Sequence, residues 1–256
     1  MTLRIGVVVE DRPDFDTGTT LADRVVLAKV SWLEPELLDH VRRYCGLSDE
    51  TGYARWTDAA FQRSAFGKNR FGAQAGHFRS ASGVSEPAAA DALATRRALI
   101  QMKLRGVEVA LLLRDEDRCN DRGKGMQQAR TEEEEHDRPL TVIIGVARSK
   151  RECWVLCGFD PRDDIERDSL QAERQFLGFD PREQAERLTA KHDHDKLSAK
   201  RVLSVLTKDN RSREVACWEQ TDINSLRSRG NNSGLASYLD EVEQRLIPLI
   251  AMNPPA

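Results

Sequence analysis

Two closely spaced aspartates are the residues of this chain best suited to chemistry. Asp115 and Asp117 are separated by one residue and follow an apolar run, Val107 to Leu113, with the composition of a buried strand. Two carboxylates this close repel each other unless a proton or a cation neutralises one of them. A divalent metal would do so, and all-oxygen ligands favour Mg²⁺ or Mn²⁺ over zinc. Acids also follow strands simply because loops are polar, so the pair alone does not establish a metal site.

Further acids follow two other apolar runs. Glu10 comes directly after the run 3–9, and Glu152 follows the run 140–147. Ligand sites of open parallel sheets lie beyond the carboxyl ends of the strands, so these acids are expected to reach the same crevice as Asp115. Glu152 is equally suited to stabilising the first turn of a helix.

Hydrophobic patterning predicts the elements that position these acids. Buried strands are predicted at 3–9, 107–113 and 140–147, and helices at 21–33, 35–44 and 87–105. Beyond residue 160 the pattern is mainly helical. This order predicts an α/β fold, with a Rossmann-like core, a mainly parallel sheet flanked by helices, and a helical C-terminal extension. We expect this extension at 161–256.

Composition and charge narrow the classes of partner. The 256 residues carry 39 Lys and Arg against 42 Asp and Glu, for a net charge of −3, so nucleic acid would have to bind at a local basic patch. No apolar stretch approaches the roughly 20 residues of a membrane span. The five cysteines are scattered and form no CxxC pair, which is typical of reduced thiols. We expect a cytoplasmic protein with no membrane partner.

Residues 51–86 have the composition of a nucleic-acid-binding segment. Lysines and arginines alternate there with tyrosine, tryptophan and phenylalanine. Phosphates favour cations and exposed bases stack on aromatic rings, so the segment is predicted to bind a polynucleotide, DNA rather than RNA. The alternative is that the rings pack onto the sheet while the cations are solvated. The predicted nucleic-acid-binding residues are Arg63, Lys68, Arg70 and Arg79.

The order and strand context of the acids resemble those of a TOPRIM domain. The matching residues are Glu10 after the first strand, Asp14 four residues on, and Asp115 with Asp117 after a later strand. TOPRIM is the catalytic fold shared by topoisomerases, bacterial primases and overcoming-lysogenisation-defect nucleases. The resemblance implies that these acids hold Mg²⁺ for phosphoryl transfer on nucleic acid. The resemblance covers about residues 1–160, and it implies a TOPRIM-like catalytic domain there, with a basic and aromatic insertion at about 47–87. The chain departs from the family at Asp11, where glycine is common, and in the length of this insertion.

Two shorter motifs more closely resemble stand-alone TOPRIM-like proteins of bacteria. These motifs are LLLRDEDR, at 111–118, and RECW, at 151–154. Such proteins are often associated with ATPases in phage-defence loci, so the resemblance implies a partner ATPase. The chain has no P-loop motif, so any ATP dependence would come from that partner.

The leading hypothesis is a metal-dependent nuclease that cleaves DNA or RNA phosphodiesters in bacterial anti-phage defence. The predicted catalytic residues are Glu10, Asp115 and Asp117, and the predicted Mg²⁺ or Mn²⁺ ligands are Glu10, Asp14, Asp115, Asp117 and Glu152. A cation for the phosphate is expected from Arg114, Arg118, Lys150 or Lys196.

Two other functions compete with the nuclease. The first is a catalytically weak TOPRIM-like subunit that binds metal and assembles with, or regulates, a partner ATPase. The second is a receiver-like phosphoacceptor, which would place its acidic pair after the first strand, whereas the clearest pair here follows a later one. Assembly as a homo-oligomer stays open.

Overall fold

A parallel sheet carries the residues of interest at one edge. The computed structural model describes residues 2–48, 50–58, 89–116 and 121–252. The strands are β1 (Leu3–Val9), β2 (Arg42–Cys45), β3 (Ala54–Arg55), β4 (Val109–Asp115) and β5 (Thr141–Ala147). Their order is β2-β1-β4-β5, with β3 paired to the last two residues of β1, and all these pairs are parallel. The predicted α/β class with a mainly parallel sheet is confirmed.

Helices surround this sheet and make up the C-terminal part. They are α1 (Arg12–Lys29), α2 (Leu38–Val41), α3 (Ala89–Leu104), α4 (Arg122–Glu134), α5 (Arg151–Cys157), α6 (Asp164–Leu177), α7 (Ala199–Thr207), α8 (Arg211–Glu219), α9 (Ile223–Arg229), α10 (Leu235–Arg245) and α11 (Ile247–Ala251), with 3₁₀ turns at Pro35–Leu37 and Ala185–Arg187. The predicted helical C-terminal part is confirmed. Within the described ranges, no helix is both long enough and apolar enough to cross a membrane.

Side-chain alternation along the strands divides the core into two layers. Val7 and Leu111 belong to a cluster that includes residues of α1 and of the C-terminal helices. Val8 and Leu112 point to the other face and belong to a second cluster, formed with residues of α3 and α4. Both strands are therefore buried on both sides, which explains the unbroken apolar runs 5–9 in β1 and 109–113 in β4.

Tyr238 of α10 links the C-terminal helices to α1 and α5, which pack on the sheet. Its side chain is fully buried, and its hydroxyl donates a hydrogen bond of 2.7 Å to the carbonyl of Gly18 in α1. Its ring stacks on Trp154 of α5, with 5.1 Å between the centroids. The Trp154 indole in turn donates to Ser233 O, in the loop that precedes α10. One tyrosine thus joins α1, α5 and α10.

Two helix boundaries differ from the sequence prediction. The first helix begins at Arg12 and not at residue 21, because Asp11 and Asp14 form a capping box that starts it within the acidic run. The helix predicted at 35–44 ends at Val41, and the next four residues form β2 beside β1. Here the pairing with a neighbouring strand overrides the local helical pattern.

The central strand is also shifted by two residues. It was predicted at 107–113 but runs from Val109 to Asp115, because Arg114 and Asp115 pair with Val146 and Ala147 of β5. The first acid of the predicted pair is therefore the last residue of the strand. Its backbone is fixed by the sheet, which makes its position more rigid than that of a loop residue.

The loop before α10 makes a close approach to β5 that only glycine permits. Gly234 has a φ of +85°, and a methyl group on it would lie 2.1 Å from Val146 O. Gly178, which caps α6, has a similar φ of +86° but open space where a methyl group would stand. Alanine substitutions at the two glycines therefore distinguish the cost of a positive φ from the cost of steric overlap.

We expect Gly234→Ala to lower the free energy of unfolding considerably more than Gly178→Ala does. The second change carries only the left-handed penalty of about 1–2 kcal/mol, and the first adds an overlap cost of roughly 1–3 kcal/mol. Urea denaturation of both variants measures the difference. Equal losses would mean that the loop does not lie against β5 as described.

Candidate functional site

The carboxyl ends of β1, β4 and β5 lie at the same edge of the sheet because the three strands are parallel. Val8 of β1 pairs with Leu112 of β4, and Asp115 pairs with Ala147 at the end of β5. The Glu116 N–H then donates to Ala147 O at 2.8 Å, which extends this pairing by one residue. Glu10, Asp115 and the turn that leads into α5 are thereby brought to one place, which we call the carboxylate edge.

Asp115 holds the first turn of α5. Its Oδ1 accepts a hydrogen bond of 2.8 Å from the backbone N–H of Arg151. The N-cap residue of that helix, Lys150, makes no side-chain capping bond, so Asp115 takes this role from a neighbouring strand. A carboxylate at this position also interacts favourably with the helix dipole. The acid predicted to bind metal therefore positions the element that carries Glu152.

Arg151 brings together acids from three helices. Its guanidinium lies 3.7 Å from Asp14 Oδ1 in α1, 3.4 Å from Glu152 Oε1 in α5 and 2.9 Å from Glu214 Oε1 in α8. The Arg151 side chain is only 10% exposed, so these contacts are weakly screened by solvent. Arg151 and Glu214 were not assigned a role from the sequence, because their pairing depends on how α8 packs.

Glu10 lies in a second group of charges on the other side of Asp115. Its Oε1 is 3.7 Å from Arg114 Nε and 3.4 Å from an Arg122 nitrogen. The same Arg122 side chain donates to the backbone carbonyl of Asp115. Arg114 and Arg122 also contact Asp91 of α3, at 2.6 and 3.5 Å. The cations Arg114 and Arg122 thus lie between two carboxylates that would otherwise repel each other.

Asp91 is a buried acid that the sequence reading did not identify. Its 8% exposure is unusual for an aspartate. Asp91 lies four residues before Thr95 and seven before Ala98, both fully buried, so it shares their side of α3. The sequence itself did not indicate this position, because neither a threonine nor an alanine marks a buried helix face.

Burial is the main influence on the pKa of Asp14. It raises the pKa of the Asp14 carboxyl above its ordinary value, and the neighbouring Glu152 charge adds to this effect. The backbone N–H of Asp11 and the Arg151 guanidinium lower the pKa but do not cancel the rise. Asp14 is therefore more easily protonated than an exposed aspartate, and an added cation would favour its ionised form.

Asp14 and Asp115 line one small cavity, which bears on the metal prediction. The cavity has a volume of about 10 Å³ and is also lined by Arg114 and Arg151. This is close to the roughly 10–15 Å³ that a single water molecule needs. The two carboxylates are donors of the kind that Mg²⁺ or Mn²⁺ prefers, while the two guanidinium groups and the apolar side chains of the lining are not metal ligands. Within the described residues, no group of three or more His, Cys, Asp or Glu side chains is arranged to hold a metal ion.

Several predicted residues lie outside the described part of the chain. They are Asp117, Arg118, Arg63, Lys68, Arg70 and Arg79. The described end of the basic and aromatic segment follows the alternative prediction at Trp56, which is 6% exposed and donates from its indole to Leu113 O at 2.8 Å. Arg114 lies over the Trp56 ring, 5.0 Å from its centre. Trp56 is therefore part of the core, and its contact with Arg114 helps to position that residue at the candidate site.

Of the cations predicted for a phosphate, Arg114 contacts a predicted ligand, Glu10. Lys150 is the N-cap residue of α5, and Lys196 lies 5.0 Å from the centre of the Phe176 ring in the helical part. Arg122 and Arg151 join Arg114 at the carboxylate edge, and the sequence analysis assigned neither of them a role. Arg151 stands in the RECW motif, but its contacts with Asp14 and Glu214 depend on how the helices pack. No family model, curated protein or solved structure matches the chain.

Replacing Arg151 tests the electrostatics of this edge. In Arg151→Gln we expect the pKa of Asp14 to rise further, because the cation that lowers it is lost while burial and Glu152 remain. A carboxyl whose pKa is raised by folding contributes stability that is lost as the pH rises through that pKa. The free energy of unfolding of the variant should therefore fall more steeply over this pH range than that of the parent.

Carboxyl-carbon NMR titration of Asp14 measures this change directly. Arg12→Gln is the matched control, since Arg12 is 65% exposed and pairs with Asp16. It should leave the pKa of Asp14 nearly unaltered. An unchanged pKa in Arg151→Gln would contradict the ion pair between Arg151 and Asp14.

Proposed function

We propose that this protein is a metal-dependent nuclease of the TOPRIM type, acting on DNA or RNA. The observation that supports this proposal is the meeting of Asp14 and Asp115 around one water-sized cavity at the carboxyl edge of a parallel sheet. Glu10 and Glu152 lie on either side, each in contact with an arginine that belongs to the same edge. Acids in this place are typical of sites that carry chemistry in open α/β folds.

The oxygen donors suited to Mg²⁺ or Mn²⁺ are Asp14 and Asp115, with Glu10, Glu152 and Asp117 as further candidates. A bound metal of this kind supplies a Lewis acid for the phosphate oxygens and a more acidic water molecule. The metal must compete with protons for carboxylates, and the pKa of Asp14 is raised by burial. Binding should therefore strengthen as the pH rises through the pKa of Asp14.

The arginines of the edge have two roles in this proposal. Before substrate binds, Arg114, Arg122 and Arg151 offset the repulsion among the carboxylates and hold them in position. When a phosphodiester binds, their guanidinium groups are suited to hydrogen-bonding its oxygens and to stabilising the charge that develops there. The Glu10 side chain is 36% exposed, against 16% for Asp14 and 12% for Glu152, so it is the group we assign to proton transfer with water.

A second candidate function is favoured by the same arginines. Glu10, Asp14 and Glu152 each contact a guanidinium, so their charge is already offset without a metal. Such an edge suits a catalytically weak subunit that assembles with a partner ATPase. The two proposals differ in whether metal-dependent cleavage occurs at all.

Cleavage assays with purified protein separate the two proposals. Supercoiled plasmid and end-labelled single strands are incubated with Mg²⁺, Mn²⁺ or EDTA. We expect cleavage that requires metal and that falls by about 10²-fold or more in Asp115→Asn combined with Asp117→Asn, and in Glu10→Gln. Asparagine at position 115 can still accept the hydrogen bond from Arg151, so the fold is retained.

Glu108→Gln is the matched control. Glu108 precedes the same strand at its opposite end, where its side chain accepts a hydrogen bond of 3.1 Å from the Arg4 N–H. Its cleavage rate should equal that of the parent. Cleavage that persists in EDTA or in the double variant would refute the nuclease proposal. Metal binding by the parent without cleavage would favour the second candidate, and co-purification with an ATPase would then test it.

A further inference from the structure

A large cavity lies beside the carboxylate edge, between α5, α7 and α8. Its volume is about 510 Å³, and its lining includes Arg151 and Glu152 of the candidate site. Arg151 therefore forms a common wall, with Asp14 on the side of the site and Glu214 on the side of the cavity. The volume lies in the range of roughly 300–1,000 Å³ that is typical of small-molecule sites. A ligand bound at the carboxylate edge can therefore extend a further chemical group into this cavity.

Two half-exposed cations in the lining suit a phosphate. The Lys200 side chain is 56% exposed and lies 3.8 Å from Asp193. The Arg211 side chain is 45% exposed and lies 3.4 Å from Asp16 and 2.6 Å from Glu214, which also lines the cavity. The exposed pair of Lys200 contributes little to stability, so this cation can turn to a phosphate at small cost. Arg211 shares Glu214 with Arg151, so Glu214 keeps one cationic partner when Arg211 turns to the phosphate. Ser204 lies one helical turn after Lys200 and adds a hydroxyl to the same lining.

The lining also contains acids, whose negative charges repel a ligand that is only anionic. Among the described residues around the cavity, carboxylates equal lysines and arginines in number, so the formal net charge is zero. The Oε1 atom of Glu152 contacts Arg151, and the Oε1 atom of Glu214 contacts both Arg151 and Arg211. The second oxygen of each carboxylate is an acceptor suited to the amino and imino groups of a nucleobase or to sugar hydroxyls. A nucleotide combines one phosphate with such donors, and it therefore suits this lining better than a polyphosphate or an apolar molecule does.

From these features we infer that the cavity binds one nucleotide of a single-stranded nucleic acid, adjacent to the phosphate that is cleaved at the carboxylate edge. Lys200 and Arg211 contact the phosphate of this nucleotide, and Glu152 or Glu214 accepts hydrogen bonds from its base. A base within a duplex is paired and stacked and does not enter such a cavity, so the substrate is a single strand or a frayed end. The inference rests on the proposed nuclease function, because it requires a phosphate at the edge.

Binding in EDTA tests the cavity separately from cleavage. A fluorescein-labelled single strand of mixed sequence is titrated with the full chain, and anisotropy is recorded at several salt concentrations. We expect Lys200→Gln combined with Arg211→Gln to weaken binding by about tenfold and to reduce the salt dependence by about 0.7, the value for one phosphate contact on a single strand. Binding of a blunt duplex should change little.

Lys29→Gln combined with Arg167→Gln is the matched control. It removes the same charges from exposed ion pairs, with Glu243 and Asp164, that do not line the cavity. Its affinity for the single strand should equal that of the parent. A strand that carries abasic residues should bind the parent less tightly than the intact strand, because the base contacts are missing.

The outcomes distinguish this inference from the proposed function. Metal-dependent cleavage that is insensitive to Lys200→Gln with Arg211→Gln, with unaltered single-strand affinity, overturns the cavity assignment and leaves the nuclease standing. Selective loss of single-strand binding in that variant, with no cleavage by the parent, supports the cavity as a nucleotide site and refutes the nuclease. Equal losses of affinity in the test and control variants would overturn the inference, because the effect would then come from overall charge. Equal losses for single strand and duplex would overturn it for the same reason.

Discussion

Repulsion between carboxylates at one edge of a parallel sheet is the constraint on which the arrangement of this protein depends. Parallel pairing brings Glu10 and Asp115 to the same edge, and helix packing adds Asp14. Without cations, close carboxylates would raise one another's pKa and oppose folding. Arg122 and Arg151 provide the compensation, and each also forms a hydrogen bond with Asp115, through its side chain and its backbone respectively. The two arginines that offset the carboxylate charges therefore also hold the backbone and the side chain of Asp115 in place.

Most of the sheet was predictable from the sequence because its central strands are buried on both faces. The runs that became β1 and β5 were placed within one residue of their observed bounds, and the α/β class followed from their order. The start of α1 was missed because a capping box reads locally as an acidic turn. The strand β2 was missed because its four residues include two arginines, and its structure depends on pairing with β1.

The candidate site was predictable only in part, for a related physical reason. Strand order was enough to place Glu10 and Asp115 at one edge. The partners of these acids come from helices whose packing no local pattern specifies. Arg151 is an example, since its contact with Glu214 joins residues more than sixty positions apart. Neither the burial of Asp91 nor its pairing with two arginines was readable from the local pattern, because both depend on how α3 packs against the sheet.

The position of Tyr238 has a consequence for how this protein can change over generations. Its hydroxyl and ring fix α1, which carries Asp14, and α5, which carries Glu152. A recombination event that exchanged the C-terminal helices for unrelated ones would remove this anchor and displace both acids together. The two halves of the chain therefore depend on each other for the position of these acids, and a substitution at Tyr238 acts on α1 and α5 as well as on α10.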